Sequence, residues 1–502
     1  MRILCLVALL ALGFLLLLPR RQCHGLLVPL TNTLSSLGGG NGTTPVPVHH
    51  LLRSSSLRSA ARHRRHRARG GLLRPPPRPP AHRQLSLPLS PGSDYTLSLS
   101  VGSASAAAPV PLFLDTGSDL VWFPCAPFTC MLCEGKPAPG GSAPRPPPPG
   151  SRRVPCASPL CSAAHASAPP SDLCAAAGCP LEDIETASCG AASHHPCPLL
   201  YYAYGDGSLV AHLRRGRVGL AASVAVENFT FACAHTALGE PVGVAGFGRG
   251  PLSLPAQLSP SLSGRFSYCL VSHSFRADRI IRPSPLILGR SPDDAAGLGA
   301  TAGAGGGFVY TPLLHNPRHP YFYSVALEAV SVGATRIPAR PELGRVDRAG
   351  NGGMVVDSGT TFTMLPSETY ARVAEAFARA MAAAGFARAG RAEAQTGLRP
   401  CYRYAAADRG VPPLALHFRG NATVALPRRN YFMGFRSEGD GGVGCLMLMD
   451  GGDASSGDGD GPAGTLGNFQ QQGFEVVYDV DAGRVGFARR RCTDLWDSLS
   501  RR

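Results

Sequence analysis

Two short stretches of the chain place a carboxylate in the same setting: 112-LFLDTGSDLVW-122 and 354-MVVDSGTTFTMLP-366. In each, an apolar run ends on Asp and is followed by a hydroxyl residue, a Gly and a second hydroxyl residue. The two quartets are Asp115-Thr116-Gly117-Ser118 and Asp357-Ser358-Gly359-Thr360. An Asp that closes a buried strand, ahead of a Gly that permits a tight turn, is fixed by the backbone with its carboxylate at the surface. A single Asp of this kind is most often a turn residue. A duplicated one is different, because approximate two-fold symmetry can bring both carboxylates to one point. Two close carboxylates do not readily both ionise, so they share a proton. The pair then supplies a base and an acid together, the equipment for attack by water on a polar bond.

The elements that must position this pair also come in duplicate. Each Asp motif is followed at long range by a hydrophobic-Gly segment, 242-VGVAGFGRGPLSLPAQL-258 in the first half and 464-GTLGNFQQQGFEVVYD-479 in the second. Four matched elements in the same order describe two similar lobes. Around them the texture is of short alternating runs such as 95-YTLSLSVG-102, which read as strands between Gly and Ser turns. Helical periodicity is clear only in 367-SETYARVAEAFARAMAAAGF-386, with Ser367 as its N-cap. The fold class is therefore all-β with a few short helices. A Pro-rich stretch from Glu134 to Cys197, with Cys156, Cys161, Cys174, Cys179 and Cys189 inside it, reads as a surface insertion.

Charge and cysteine narrow the function classes. The formal net charge of +15 invites a nucleic-acid reading, yet residues 1–93 carry thirteen Arg and no acid, which leaves about +2 for the rest. A nucleic-acid enzyme would place its cations on the folded domain among stacking aromatics, so no nucleic-acid partner is expected. Residues 1–25, with an apolar run from Ile3 to Leu18, have the layout of a secretory signal peptide, with a signal anchor as the rival. Their apolar run is short for a membrane span, and no stable span is expected. Residues 26–88 are rich in Arg, Pro, Ser and His and cannot bury enough apolar surface to fold alone. They read as a pro-segment, a transit peptide or a disordered tail. Outside the leader there are fourteen Cys, which implies a disulfide framework and an oxidising compartment. Cys130 and Cys133 form a CxxC without the partners of a zinc site, so no metal and no other cofactor is expected. Asn41, Asn228 and Asn421 open glycosylation sequons.

At this point the sequence resembles a family. Residues 94–492 look like a pepsin-type aspartic endopeptidase, a bilobal all-β fold, with Asp115 and Asp357 matching the two catalytic D-[ST]-G motifs. The resemblance implies hydrolysis of peptide bonds at acidic pH by a water held between the two aspartates. It implies that Ser118 and Thr360 support the outer carboxylate oxygens, while Thr116 and Ser358 tie the two loops together. In 204-YGDGS-208, Tyr204 and Gly205 match the flap over the substrate cleft, and Trp122 matches the tryptophan behind it, within reach of the Tyr204 hydroxyl. DTGSD with Asp119, DSGT at Asp357 and the Cys-rich insertion are most similar to plant nepenthesin-like, atypical enzymes. The implied lobes are 89–270 and 271–502. That subfamily's pattern implies the pairs Cys125–Cys130, Cys133–Cys233, Cys156–Cys197, Cys269–Cys492 and Cys401–Cys445, and leaves Cys161, Cys174, Cys179 and Cys189 open. By resemblance to zymogens, the Arg-rich 26–88 segment could lie across the acidic cleft. A secreted, monomeric enzyme acting on proteins or peptides is the reading, with vacuole or plastid as alternative locations. The other reading is a catalytically silent binding protein of the plant xylanase-inhibitor type, on the same fold.

Overall fold

Alternating apolar residues and Gly-rich turns produce short strands, and the computed structural model arranges them in five sheets. It describes residues 48–66, 85–89, 95–102, 108–131, 133, 144–165, 195–204, 207–221, 224–239, 242–258, 264–272, 283–289, 307–405, 410–437, 441–452 and 461–501. The leader 1–25, Asn41, Gly205, Cys174, Cys179 and Cys189 lie outside the described residues, as does the side chain of Tyr204. No helix among the described residues is long and apolar enough to cross a membrane.

An eight-stranded sheet forms the first lobe, and sheets of five, four and three strands form the second. A six-stranded sheet joins them, taking strands from both halves in the order Leu85–Leu89, Ser284–Leu288, Arg265–Cys269, Phe474–Asp479, Arg484–Arg489, Val309–Pro312. This shared sheet packs Phe266, Tyr268, Val476 and Tyr478 into a core that runs through both lobes. A second cluster, with Trp122, Leu200, Tyr202 and Leu209, fills the first lobe behind the hairpin of strands Leu200–Tyr204 and Gly207–Ala221.

The lobes repeat one local design. Strand Ala108–Asp115 runs parallel to Gly243–Gly246, with Asp115 opposite Gly246, and Gly243–Gly246 pairs antiparallel with Val121–Met131. In the second lobe Met354–Val356 runs parallel to Gly464–Leu466, which pairs antiparallel with Thr363–Leu365. The hydrophobic-Gly segments are thus strands threaded beneath the Asp loops. Gly is required there because the backbones touch: a Cβ on Gly246 would collide with the main chain of Asp119.

Two local expectations are corrected. The long helix is Ser367–Ala383, but Ser367 is its first helical residue, and Pro366 holds the cap position. The Ser367 hydroxyl donates instead to Asp450, 2.7 Å away, because the incoming Pro turns it outward from the helix end. The second correction concerns disulfides. Cys125 pairs with Cys233 and Cys130 with Cys133, in place of Cys125–Cys130 and Cys133–Cys233. Strands Val121–Met131 and Val224–Leu238 are parallel, with Phe123 opposite Cys233, so Cys125 and Cys233 lie 5.4 Å apart at Cα. Five residues along one strand span roughly 16 Å, too far for a bridge. Cys161 replaces Cys156 as the partner of Cys197, because it sits on the buried side of helix Pro159–His165 facing that residue. The pairs Cys269–Cys492 and Cys401–Cys445 form as the resemblance implied.

The shared sheet carries an ionic clamp. The buried Asp479 carboxylate meets Arg265 at 2.6 Å and Arg484 at 2.9 Å. Burial alone would raise its pKa, but the two guanidiniums hold it below the ordinary carboxylate value. A depressed carboxylate contributes stability above its unfolded pKa and loses it as pH falls through the lower folded value. Asp479→Asn is therefore expected to destabilise by about 2 kcal/mol at pH 6. The deficit relative to the parent should shrink only below the usual carboxylate range, as read by thermal melts from pH 6 to pH 2. A deficit that is constant with pH would contradict this assignment.

Candidate active site

Each Asp ends a strand and begins a tight turn whose own groups hold its carboxylate. The Gly117 N–H donates to Asp115 Oδ1 at 2.9 Å and the Ser118 hydroxyl to Oδ2 at 2.7 Å. In the second lobe the Gly359 N–H donates to Asp357 Oδ1 at 2.7 Å and the Thr360 hydroxyl to Oδ2 at 2.6 Å. Both aspartates are buried, Asp115 at 2% exposure and Asp357 at 0%. The arrangement is symmetric across the lobes. A Cβ on Gly117 would lie 2.9 Å from Asp357 Cγ, and one on Gly359 would overlap the Asp115 carboxylate. Each glycine thus leaves room for the other lobe's carboxylate.

The second residues of the two motifs stitch the loops together. The Thr116 N–H donates to Ser358 Oγ at 3.1 Å, and the Ser358 N–H to Thr116 Oγ1 at 2.9 Å. The Thr116 hydroxyl donates to the Val356 carbonyl and the Ser358 hydroxyl to the Leu114 carbonyl, each at 3.0 Å. Four buried hydrogen bonds between two turns fix their spacing more firmly than either turn alone could.

Below the loops lies a polar floor that sequence reasoning missed. The Gln471 amide donates to the carbonyls of Asp357 at 3.2 Å and Leu466 at 2.9 Å. Its oxygen accepts from Tyr268, whose hydroxyl is 2.7 Å from that of Tyr478. Burial pushes both phenols above their ordinary pKa, so they stay neutral. Asn468 adds a bond to the Ser358 carbonyl at 2.9 Å. The run Asn468-Phe469-Gln470-Gln471-Gln472 was the available signal, since consecutive amides in a buried segment must each find partners. Removing the Gln471 amide takes a donor from the Asp357 carbonyl and an acceptor from the Tyr268 hydroxyl, while the Leu466 carbonyl keeps the Asp357 N–H at 3.0 Å. Gln471→Leu is thus expected to lower kcat about tenfold with little change in KM, and to lower stability by about 2 kcal/mol. An unchanged kcat in a folded variant would exclude this supporting role.

The remaining predicted residues fall around the cleft. Trp122 is 1% exposed in the cluster behind the hairpin, and the Tyr204 backbone pairs with Gly207 at the hairpin's end. Asp119 accepts from the Gly250 N–H at 2.9 Å, fixing the loop after Gly243–Gly246. Asn228, at an irregularity within strand Val224–Leu238, and Asn421, in a turn, are exposed with left-handed backbone, at φ 58° and 60°. The Cys161, His165 and Cys197 ligand atoms lie within 4.8 Å of one another. Both sulfurs are committed to a disulfide, which removes them as thiolate ligands.

One occupant of the cleft comes from the chain itself. The helix Val48–His66 lies against the second lobe and brings Arg62 to 3.4 Å from Asp115 Oδ2. Its buried face is Leu52, Ser55, Ser56, Ser59, Arg62 and His63, at helical spacing. The Ser59 hydroxyl accepts from the Phe362 N–H at 3.0 Å, and His63 Nδ1 sits 2.9 Å from Thr465 Oγ1.

A doubled carboxylate turn between two pseudo-symmetric β lobes defines an aspartic proteinase of the pepsin fold. Family models described as "Xylanase inhibitor N-terminal" and "Xylanase inhibitor C-terminal" match residues 95–289 and 322–489. An Arabidopsis thaliana protein named "Probable aspartyl protease" is 56% identical over 83% of this chain and 85% of its own length. Nepenthesin-1, an aspartic proteinase of Nepenthes gracilis, is 30% identical over 80% of this chain and 78% of its own. The chain belongs to the plant nepenthesin-like, atypical aspartic proteases, and it is an aspartic-type endopeptidase whose substrates are peptides. Among solved structures, soybean basic 7S globulin superposes with a TM-score of 0.56 at 18% identity, over 83% of this chain and 99% of its own. An aspartic proteinase from Irpex lacteus gives 0.51 at 17% identity, over 82% and 98%. At these identities the likeness speaks for the fold.

Proposed function

We propose that Asp115 and Asp357 hydrolyse peptide bonds together, at acidic pH, in an enzyme made as a self-inhibited precursor. The observation that carries this is the symmetry of the site: each carboxylate is held by its own Gly N–H and hydroxyl and faces the other lobe's glycine. At acidic pH the pair holds one proton. The ionised carboxylate takes a proton from a water attacking the scissile carbonyl, while the protonated one donates to the carbonyl oxygen and then assists departure of the amine. Ser118 and Thr360 hold the outer oxygens, so the inner ones keep their aim. Tyr204, Gly205 and Trp122 belong to the cover that excludes bulk water once substrate is in place.

The Val48–His66 helix is the inhibitory part of the 26–88 segment. Arg62 lies beside the Asp115 carboxylate and against Gly359, between the two Asp loops, and both charged side chains are buried. Acidification protonates carboxylates, removes Arg62's counter-charge and favours release of the helix. Secretion through the 1–25 leader and glycosylation at Asn228 and Asn421 complete the reading, supported by the disulfides and by the exposure of both Asn residues. The family models named for xylanase inhibitors favour a second reading, a silent binding protein. Against it stand two intact carboxylates, each with a full set of supporting donors.

The test is cleavage of a denatured protein by the acid-converted chain, with and without pepstatin. Pepstatin-sensitive cleavage at acidic pH is the expected result. A converted chain that cuts nothing in a broad peptide library at any pH, yet binds a glycanase, would establish the second reading instead.

A further inference from the structure

The helix that fills the cleft also shows what the cleft accepts. Leu52 is fully buried in a cluster with Phe362, Ala389, Leu398, Met433 and Phe435, with Val48 and Leu51 at its edge. The surrounding elements are the helix Gly390–Thr396 and the strands Phe432–Ser437 and Thr363–Leu365. Alongside this apolar contact, main-chain groups of the second lobe are engaged in sequence: the Phe362 N–H by Ser59, the Thr396 carbonyl by Ser56 at 2.9 Å, and the Ala394 carbonyl by Arg53 at 3.3 Å. Among the described residues, then, the helix marks a continuous track from Asp115, at Arg62, to the Leu52 pocket.

We propose that this pocket is a distal subsite of the mature enzyme, which takes an aliphatic side chain of the substrate well away from the scissile bond. The proposal rests on the precursor reading above, since the pocket opens only when the helix leaves. Ten helical residues separate Leu52 from Arg62, about 15 Å at 1.5 Å per residue. An extended substrate advances about 3.3 Å per residue, so the same distance corresponds to four or five residues. The main-chain groups of Phe362, Ala394 and Thr396 that the helix engages can, once it leaves, bond an extended peptide's backbone, and the pocket supplies the selectivity. The substrate class is therefore an unfolded or flexible segment long enough to span the track, with Leu or a similar aliphatic residue four or five positions from the cut. Met433 is the specificity residue to test, because it lies on the strand Phe432–Ser437 that the helix contacts and its side chain is apolar and unbranched.

The full-length chain would be converted at acidic pH, or by cutting a protease site placed in residues 67–84, and freed of the helix by dilution and gel filtration. It would then be given a peptide series with one fixed cleavage sequence and Leu or Ser at each position three to six residues away, on either side. The expected result is that Leu at one position four or five residues out raises kcat/KM about tenfold over Ser through KM, leaving kcat unchanged. Met433→Ser should abolish that preference, bringing kcat/KM for the Leu peptide down about tenfold through KM. A flat profile beyond three residues from the cut overturns the proposal, as does a Leu preference that survives Met433→Ser. If no peptide is cut, and denatured protein is not cut either, it is the proposed catalytic function that fails.

Discussion

Asp357→Asn is expected to fold, to bind peptide and to turn over roughly 10³- to 10⁴-fold more slowly than the parent. The substitution preserves shape: the Gly359 N–H still has an oxygen to bond, and the Thr360 hydroxyl can turn to accept from the new amide. What is lost is the capacity to hold or release a proton, and Asp357 has no substitute, because the opposite carboxylate must take the complementary role. Asp115→Asn is expected to fail to the same degree. The measurement is kcat on a short peptide with the acid-converted chain, beside KM and a thermal melt. Full activity in either variant would remove the dyad from the mechanism, and a collapsed melt would shift the comparison to Asp357→Glu, which keeps the charge but misplaces it.

The second large effect concerns the precursor. Arg62 is buried beside Asp115 at 3.4 Å, and breaking a buried pair costs about 3 kcal/mol or more. In Arg62→Ala the helix keeps its Leu52 contact and its Arg53, Ser56, Ser59 and His63 bonds but loses this pair, so its bound fraction falls. One pH unit corresponds to about 1.4 kcal/mol, so the onset of peptide cleavage by the full-length chain should move up by roughly two units. The direction follows from the carboxylate: the Arg62 contact is present while Asp115 is ionised and lost as pH falls, and the variant lacks it at every pH. An unchanged onset, with the helix equally protected from an added protease, would mean that Arg62 does not secure it.

The site was more legible in the sequence than the cover over it. Asp115 and Asp357 were recoverable because each sits in a repeated local pattern, and the repeat itself implies the facing geometry. The disulfides of the first lobe were not, because the parallel register that sets Phe123 against Cys233 joins segments more than a hundred residues apart. The Val48–His66 helix escaped for a different reason. Apart from Leu52, its buried face is made of Ser, Arg and His, so the apolar periodicity that betrays most packed helices is missing. Three serines allow close approach to the second lobe, and their hydroxyls find partners there or within the helix itself. Ser367 shows the limit at finer grain: a good capping residue was displaced by the Pro before it. The Tyr268–Gln471–Tyr478 floor belongs to the same class, since its members lie far apart along the chain and meet only when the shared sheet forms.

In the proposed precursor the Val48–His66 helix and the body it covers are one molecule, joined by the residues between His66 and the strand Leu85–Leu89 of the shared sheet. A tether of that length keeps the helix near its cleft at an effective concentration in the millimolar range, whatever the protein concentration. Dilution cannot free the enzyme, and a rival peptide must outcompete a neighbour that never diffuses away. Weakening the Arg62 contact by acid opens the cleft only part of the time, whereas cutting the connection once turns a permanent neighbour into an ordinary solute. Activation should therefore be gradual and reversible up to the first cut, and irreversible after it.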